Sequence, residues 1–145
     1  MGILDAINSN GDNTDDKLDV SWGNALSDDS LVWIPHALCR YANTLKLTFD
    51  DIGFIIQCFS FRGNSGIHPS HKSLAYRGGY KTRNPIIKRF KRLEEKGYVI
   101  ISKKKRNTAN GMFDCNKYSF KPLNDKLIEL LEKDIKSGKR SSKHN

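Results

Sequence analysis

The sequence predicts an α+β domain: a three-helix core, a two-stranded β-hairpin and an extra C-terminal helix. Three observations lead there. Apolar residues recur at helical spacing in successive stretches up to Lys96, the period turns strand-like past Gly97, and leucines return at helical spacing after Phe120. A chain of 145 residues can bury one real core and is too short for two sizeable ones.

Order is expected to begin at "LVWIPHALCRYA", where residues 31–34 read as a short strand and Pro35 stands where a short helix can start. Thr48 with Asp51 three residues on approximates a capping box. Behind it Ile52, Ile55, Ile56 and Phe59 follow an i, i+3, i+4, i+7 pattern and predict a core helix over about 49–62. Gly63 and Gly66 in "RGNSG" suit a helix cap and a tight turn. Ile67 and His68 can add a short strand. Ser70 then caps a second helix over 72–77 with Leu74 and Ala75 inward, ended by Gly78 and Gly79. A third helix runs to Lys96 with Ile86, Phe90 and Leu93 on one face. Pro85 allows it to start at Asn84 as N-cap or at Thr82. "YVIISKKK", the turn chemistry of "RNTANG" and "MFDCNKYSF" predict the hairpin. Phe113 and Cys115 differ in parity from Tyr118 and Phe120, which predicts a bulge or break near Asn116. Leu123, Leu127, Leu130, Leu131 and Ile135 then mark the last helix.

Charge is distributed unevenly along this frame. The net value is +9, yet residues 1–60 balance to −6 and residues 61–145 to +15. In the stretch 81–105, ten of 25 residues are Lys or Arg, opposed only by Glu94 and Glu95. Such an excess is the footprint expected of a polyanion partner. A membrane surface is the weaker choice, because no apolar run nears the ~20 residues of a spanning helix. No secretory signal is seen at "MGILDA", and Ala6 stands where a myristoylation signal wants Ser or Thr. Cys39, Cys58 and Cys115 are an odd number without a CxxC pair, which fits reduced thiols and a cytoplasmic protein. Residues 1–30 read as an acidic, flexible arm, 31–121 as the main domain, 122–138 as the terminal helix and 139–145 as a basic tail.

The ordered set Pro69, Ser70, Leu74, Ala75, Gly79, Ile86, Phe90, Leu93, Glu94, Glu95, Gly97, Tyr98 and Val99 lies within "HPSHKSLAYRGGYKTRNPIIKRFKRLEEKGYVI". It resembles winged helix-turn-helix DNA-binding domains, of the type found in bacterial, phage and plasmid regulators and replication initiators. Between Gly79 and Ile86 the sequence holds one residue more than that pattern. The resemblance implies a winged-helix fold that meets double-stranded DNA through the third helix and the hairpin.

A helix about 10–12 Å across fits a major groove ~12 Å wide. If Ile86, Phe90 and Leu93 are buried, Lys88, Lys91 and Arg92 turn outward with Arg89 flanking. Thr82, Arg83, Asn84 and Lys88 are then the base-reading candidates, Arg83 forking to guanine and Asn84 to adenine. Ser70, Lys72, Tyr80, Lys81, Arg89, Lys91 and Arg92 are phosphate candidates. The wing candidates are Lys103, Lys104, Lys105, Arg106, Asn107 and Asn110.

Other signals carry less. "GIHPSHKS" departs from a phosphate loop at His71 and Pro69. His68 and His71 lack further spaced ligands, so no metal is expected, and two solvent-exposed histidines are the simpler reading. Asp12, Asp15, Asp16 and Asp19 lack the glycine and closing Glu of a calcium loop. No nucleophile, base and orienting group assemble, so neither catalysis nor a cofactor is expected. The leucines of the last helix either cap the protein's own core or pair two copies as a homodimer. The functional expectation is a sequence-preferring DNA-binding transcriptional regulator. A replication or conjugative-transfer factor that binds an origin is the alternative, and a winged-helix protein-interaction module is a third reading.

Overall fold

A computed structural model describes residues 31–63, 66–108 and 111–138, with backbone alone for 104–108 and 111–114. The acidic stretch 1–30 and the basic tail 139–145 lie outside the described residues. The compact unit Ile34–Asn145 is distinct from Met1–Trp33.

Pro35, with φ −62° and ψ 135°, is the extended N-cap of α1, His36–Arg40. The strand expected at 31–34 does not form, because no neighbouring segment pairs with it. After α1 the chain turns back, the Leu47 N–H donating to the Ala42 carbonyl at 2.8 Å. This turn is tied to the end of a later helix: Tyr98 Oη donates to the Leu45 carbonyl at 2.9 Å and Lys96 Nζ to the Lys46 carbonyl at 2.5 Å.

Helix α2, Phe49–Phe59, begins with the expected capping box. The Asp51 N–H donates to Thr48 Oγ1 at 3.2 Å, and Asp51 Oδ2 accepts from the Thr48 N–H at 2.8 Å. Its buried residues are Asp51, Ile55 and Cys58, while Ile56, expected inward, is exposed. The apolar period located the helix but placed its buried face one position off, because a carboxylate occupies part of that face.

Gly63, expected to cap a helix, lies in a strand instead, while the short strand expected at Ile67 and His68 forms one residue earlier. Arg62–Gly63 (β1) pairs with Gly66–Ile67 (β2), and Ile67 pairs in turn with Tyr118. Helix α3, His71–Gly78, is capped by Ser70, whose Oγ accepts from the Ser73 N–H at 3.0 Å. Gly79 closes it at φ 78°, and the Tyr80 N–H returns to the Ala75 carbonyl at 2.8 Å. Only glycine adopts that left-handed conformation without strain.

Helix α4, Asn84–Glu95, starts between the two anticipated positions. Arg83 is the N-cap and Pro85 the second helical residue, where its missing N–H leaves no bond unmade. Ile86, Phe90 and Leu93 are buried, as the period predicts.

Strands β3, Ile100–Thr108, and β4, Gly111–Ser119, pair one to one from Ile100↔Ser119 to Thr108↔Gly111. The bulge expected near Asn116 is absent, and Asn116 pairs directly with Lys103. No bulge is needed because the two faces of β4 each take one of the residues that differ in parity, Tyr118 buried on one and Cys115 partly buried on the other, while Phe120 leaves the strand as the N-cap of α5, Lys121–Lys136. Alternation therefore sets Asn116 and Tyr118 on one sheet face and Cys115 and Lys117 on the other. The sheet order is β1-β2-β4-β3.

Leu123 and Leu127 of α5 are buried in the core, and Leu130 and Leu131 pack against it. Tyr41 Oη donates to Asp134 Oδ2 at 2.6 Å, joining α1 to α5. The leucines thus cap the protein's own core, the first of the two readings of that helix.

Candidate nucleic-acid interface

Helix α4 carries four kinds of surface. Ile86, Phe90 and Leu93 face inward, and Asn84, Lys88 and Lys91 stand exposed on the opposite side. Arg89 and Arg92 lie on the flank toward α2. Ile87 and Glu94 lie on the flank toward the hairpin, where they border a hollow shared with Ile101 and Tyr118.

The flank toward α2 differs from the expectation. Asp51 is fully buried, and Arg89 Nη1 reaches its Oδ1 at 2.5 Å while Arg92 Nη2 stands 3.2 Å from its Oδ2. Burial by itself would raise the Asp51 pKa. The Thr48 backbone N–H, the Arg89 hydrogen bond and the Arg92 charge outweigh it and hold the carboxyl below its ordinary value. Arg92, expected outward beside Lys88 and Lys91, is turned to this carboxylate instead. Arg89, expected on phosphate, retains only about a fifth of its side-chain exposure. Both guanidiniums fasten α4 to α2, since a buried carboxylate demands nearby cations.

The exposed end of α4 retains the other candidates. Thr82, Arg83 and Asn84 are exposed at its start, and Tyr80 and Lys81 are exposed in the turn before it. Lys72 is exposed on α3. Ser70 is exposed too, but its hydroxyl is engaged by the Ser73 N–H and lies 2.9 Å from Ser73 Oγ. Across the gap from α4, Lys103 is exposed on β3. Lys104, Lys105, Arg106 and Asn107 lie in the strand with only their backbone described, and Asn110 lies outside the described residues. Of the candidate cations, those described and in the open are thus Lys72, Lys81, Arg83, Lys88, Lys91 and Lys103.

His71, expected in solvent, is half-buried at the start of α3. Its Nε2 is 3.1 Å from Tyr118 Oη, and its ring centroid is 6.0 Å from that of Phe90. Burial, then the charges of Arg83 and Lys103, hold its pKa below the usual histidine value.

The family model described as the DnaD N-terminal domain matches residues 34–138, well over half of the chain. The chain belongs to the DnaD N-terminal domain family. The fold is similar to the crystal structure of the N-terminal domain of DnaD protein from Geobacillus kaustophilus HTA426. That match has 19% sequence identity and a TM-score of 0.58, and covers 86% of this chain and 99% of that one. No curated protein matches the sequence at a significant level. The DnaD N-terminal domain match opens at Ile34, where the compact unit begins, and runs through α5. The terminal helix is therefore inside the family's domain. Among the described residues no helix is long and apolar enough to cross a membrane.

Two features of this DnaD N-terminal domain escaped sequence reasoning. The anchoring of Arg89 and Arg92 by Asp51 had a faint signal, an Asp spaced i, i+4, i+7 with Ile55 and Cys58. The grouping of His71, Asn116 and Tyr118 had none, because it joins a helix start to a strand more than 40 residues away.

Proposed function

We propose that this chain binds double-stranded DNA as a winged-helix domain serving DNA replication, as an accessory factor that marks an origin. Family membership favours this over the transcriptional regulator that composition and motif first suggested. The observation that carries it is the open start of α4. Arg83, Asn84 and Lys88 are exposed together there, with Lys81 and Lys91 beside them and Lys103 across the gap on the hairpin. Arg83 and Asn84 read bases at the helix end, and the surrounding lysines hold phosphates. Arg89 and Arg92 act through Asp51 by holding α4 in place. The protein works by binding, without chemistry of its own. Because the α5 leucines are spent on the core, pairing of two copies through them is not part of this reading.

Gel shifts of the purified chain against the origin and the promoters of its own replicon test the proposal. Tighter binding to the origin than to promoters or random duplex is the expected result. Equal retention of promoter fragments restores the regulator, and no affinity for any duplex at ~50 mM salt favours the protein-interaction reading.

A further inference from the structure

The outer face of α3 borders a hollow of about 450 Å³. Phe61, Lys72, Ser73, Tyr76 and Arg77 line it. Four of the five belong to α3, whose opposite side buries Leu74 and Ala75. Positions 72, 73, 76 and 77 follow an i, i+1, i+4, i+5 spacing, so they share the face that points away from the core.

Arg77 is fixed on this face. Its guanidinium carbon stands 3.9 Å from the centre of the Phe61 ring, and its Nη1 donates to Ser60 Oγ at 2.6 Å. Ser60 Oγ donates in turn to the Gln57 carbonyl at 2.6 Å, and Phe61 packs against the core. The guanidinium is therefore held flat on a ring while Arg77 stays exposed, which presents a planar cation to the outside. Tyr76 is the reverse case. It is 85% exposed and engages no other described residue, although a tyrosine ring gains much from burial. Lys72 lies one helical turn before it.

Two cations and no carboxylate line the hollow, which selects a polyanion. Paired DNA would satisfy the cations through its phosphates and leave Tyr76 idle, because stacked neighbours cover its base faces. An acidic peptide would do the same, its carboxylates bringing no flat ring to the phenol. An unpaired base has free faces, and both aromatic rings and guanidinium planes stack on them.

We propose that the outer face of α3 holds single-stranded DNA, with one base stacked on Tyr76, its neighbour against the Arg77 guanidinium and the adjoining phosphate on Lys72. The inference rests on the DNA-binding reading above and adds a second form of DNA to it. Of the residues assigned to duplex contact, only Lys72 is shared. Binding here is indifferent to base identity, since every base has a π-face.

Fluorescence anisotropy of the full chain at ~50 mM salt tests the site. The probes are a strand of about twelve thymidylates, the same sugar-phosphate strand without bases, and a paired duplex. The thymidylate strand should bind at least about fivefold more tightly than the abasic one. Tyr76→Ala should remove that difference and leave duplex affinity unchanged, whereas Tyr76→Trp should keep or enlarge it. Equal affinity for the strands with and without bases overturns the site and leaves duplex binding standing. A difference that survives Tyr76→Ala, or a loss that the duplex shares, also overturns it. Displacement of the strand by poly-glutamate as readily as by thymidylates of equal charge overturns it too, and points to an acidic protein on this face. Absence of binding to any DNA removes the DNA reading and this inference with it.

Discussion

Asp51 shows how one side chain can redirect its neighbours. Removing it leaves the half-buried Arg89 charge without a partner, so Asp51→Ala should lower stability by about 3 kcal/mol, measured by urea denaturation. Arg92 adds less, because its side chain is 43% exposed and solvent screens it. The pH dependence follows from the direction of the shift. The folded carboxyl has a pKa below its unfolded value of 3.8, so the stabilisation is complete above that value and is lost as pH falls through the folded one. Asp51→Asn should flatten this acid limb in a series of urea midpoints. On the binding side, Arg83→Ala or Asn84→Ala should cost about 1–3 kcal/mol of preference for one base. Lys103→Ala should instead weaken all sequences alike. A random-pool selection with each variant separates the two behaviours, and matching losses would show that the reading end lies elsewhere on α4.

At the scale of elements, the caps were the most legible features. The Thr48–Asp51 box, the Ser70 cap and the glycine after α3 all form from short-range chemistry that neighbouring residues specify. Thr48→Ala should cost about 1 kcal/mol, and somewhat more here because Thr48 also orients the carboxylate that anchors α4. Gly79→Ala should destabilise by about 1 kcal/mol or more, despite open space for a methyl group, because φ is 78°. Thermal unfolding of both variants checks these values. The elements that were misread share one cause. A strand exists only if a partner pairs with it, so residues 31–34 stay unpaired while Arg62–Gly63, expected to end a helix, pairs with Gly66–Ile67. The bulge expected near Asn116 is absent because Cys115 and Tyr118 are accommodated on opposite faces of a regular strand.

For the whole molecule, charge asymmetry is the property that sequence states most directly, and the fold sets its usable amount. With Arg89 and Arg92 withdrawn and Arg83 on a base, about five of the described candidate cations remain for phosphate, so log K against log salt should fall with a slope of about −4.5. Titration of a fixed duplex across salt concentrations measures it, and Lys103→Ala should make the slope shallower by about one. The sequence by itself determined the α+β order, the helix caps, the buried triplet Ile86, Phe90 and Leu93, and the basic second half, since periodicity, capping and charge are local or additive. Tertiary structure alone decided which arginines stay free, which face of α2 is buried, and that His71, Asn116 and Tyr118 line one hollow. Those outcomes depend on contacts between residues distant along the chain, and desolvation of a single carboxylate outweighs any rule of spacing.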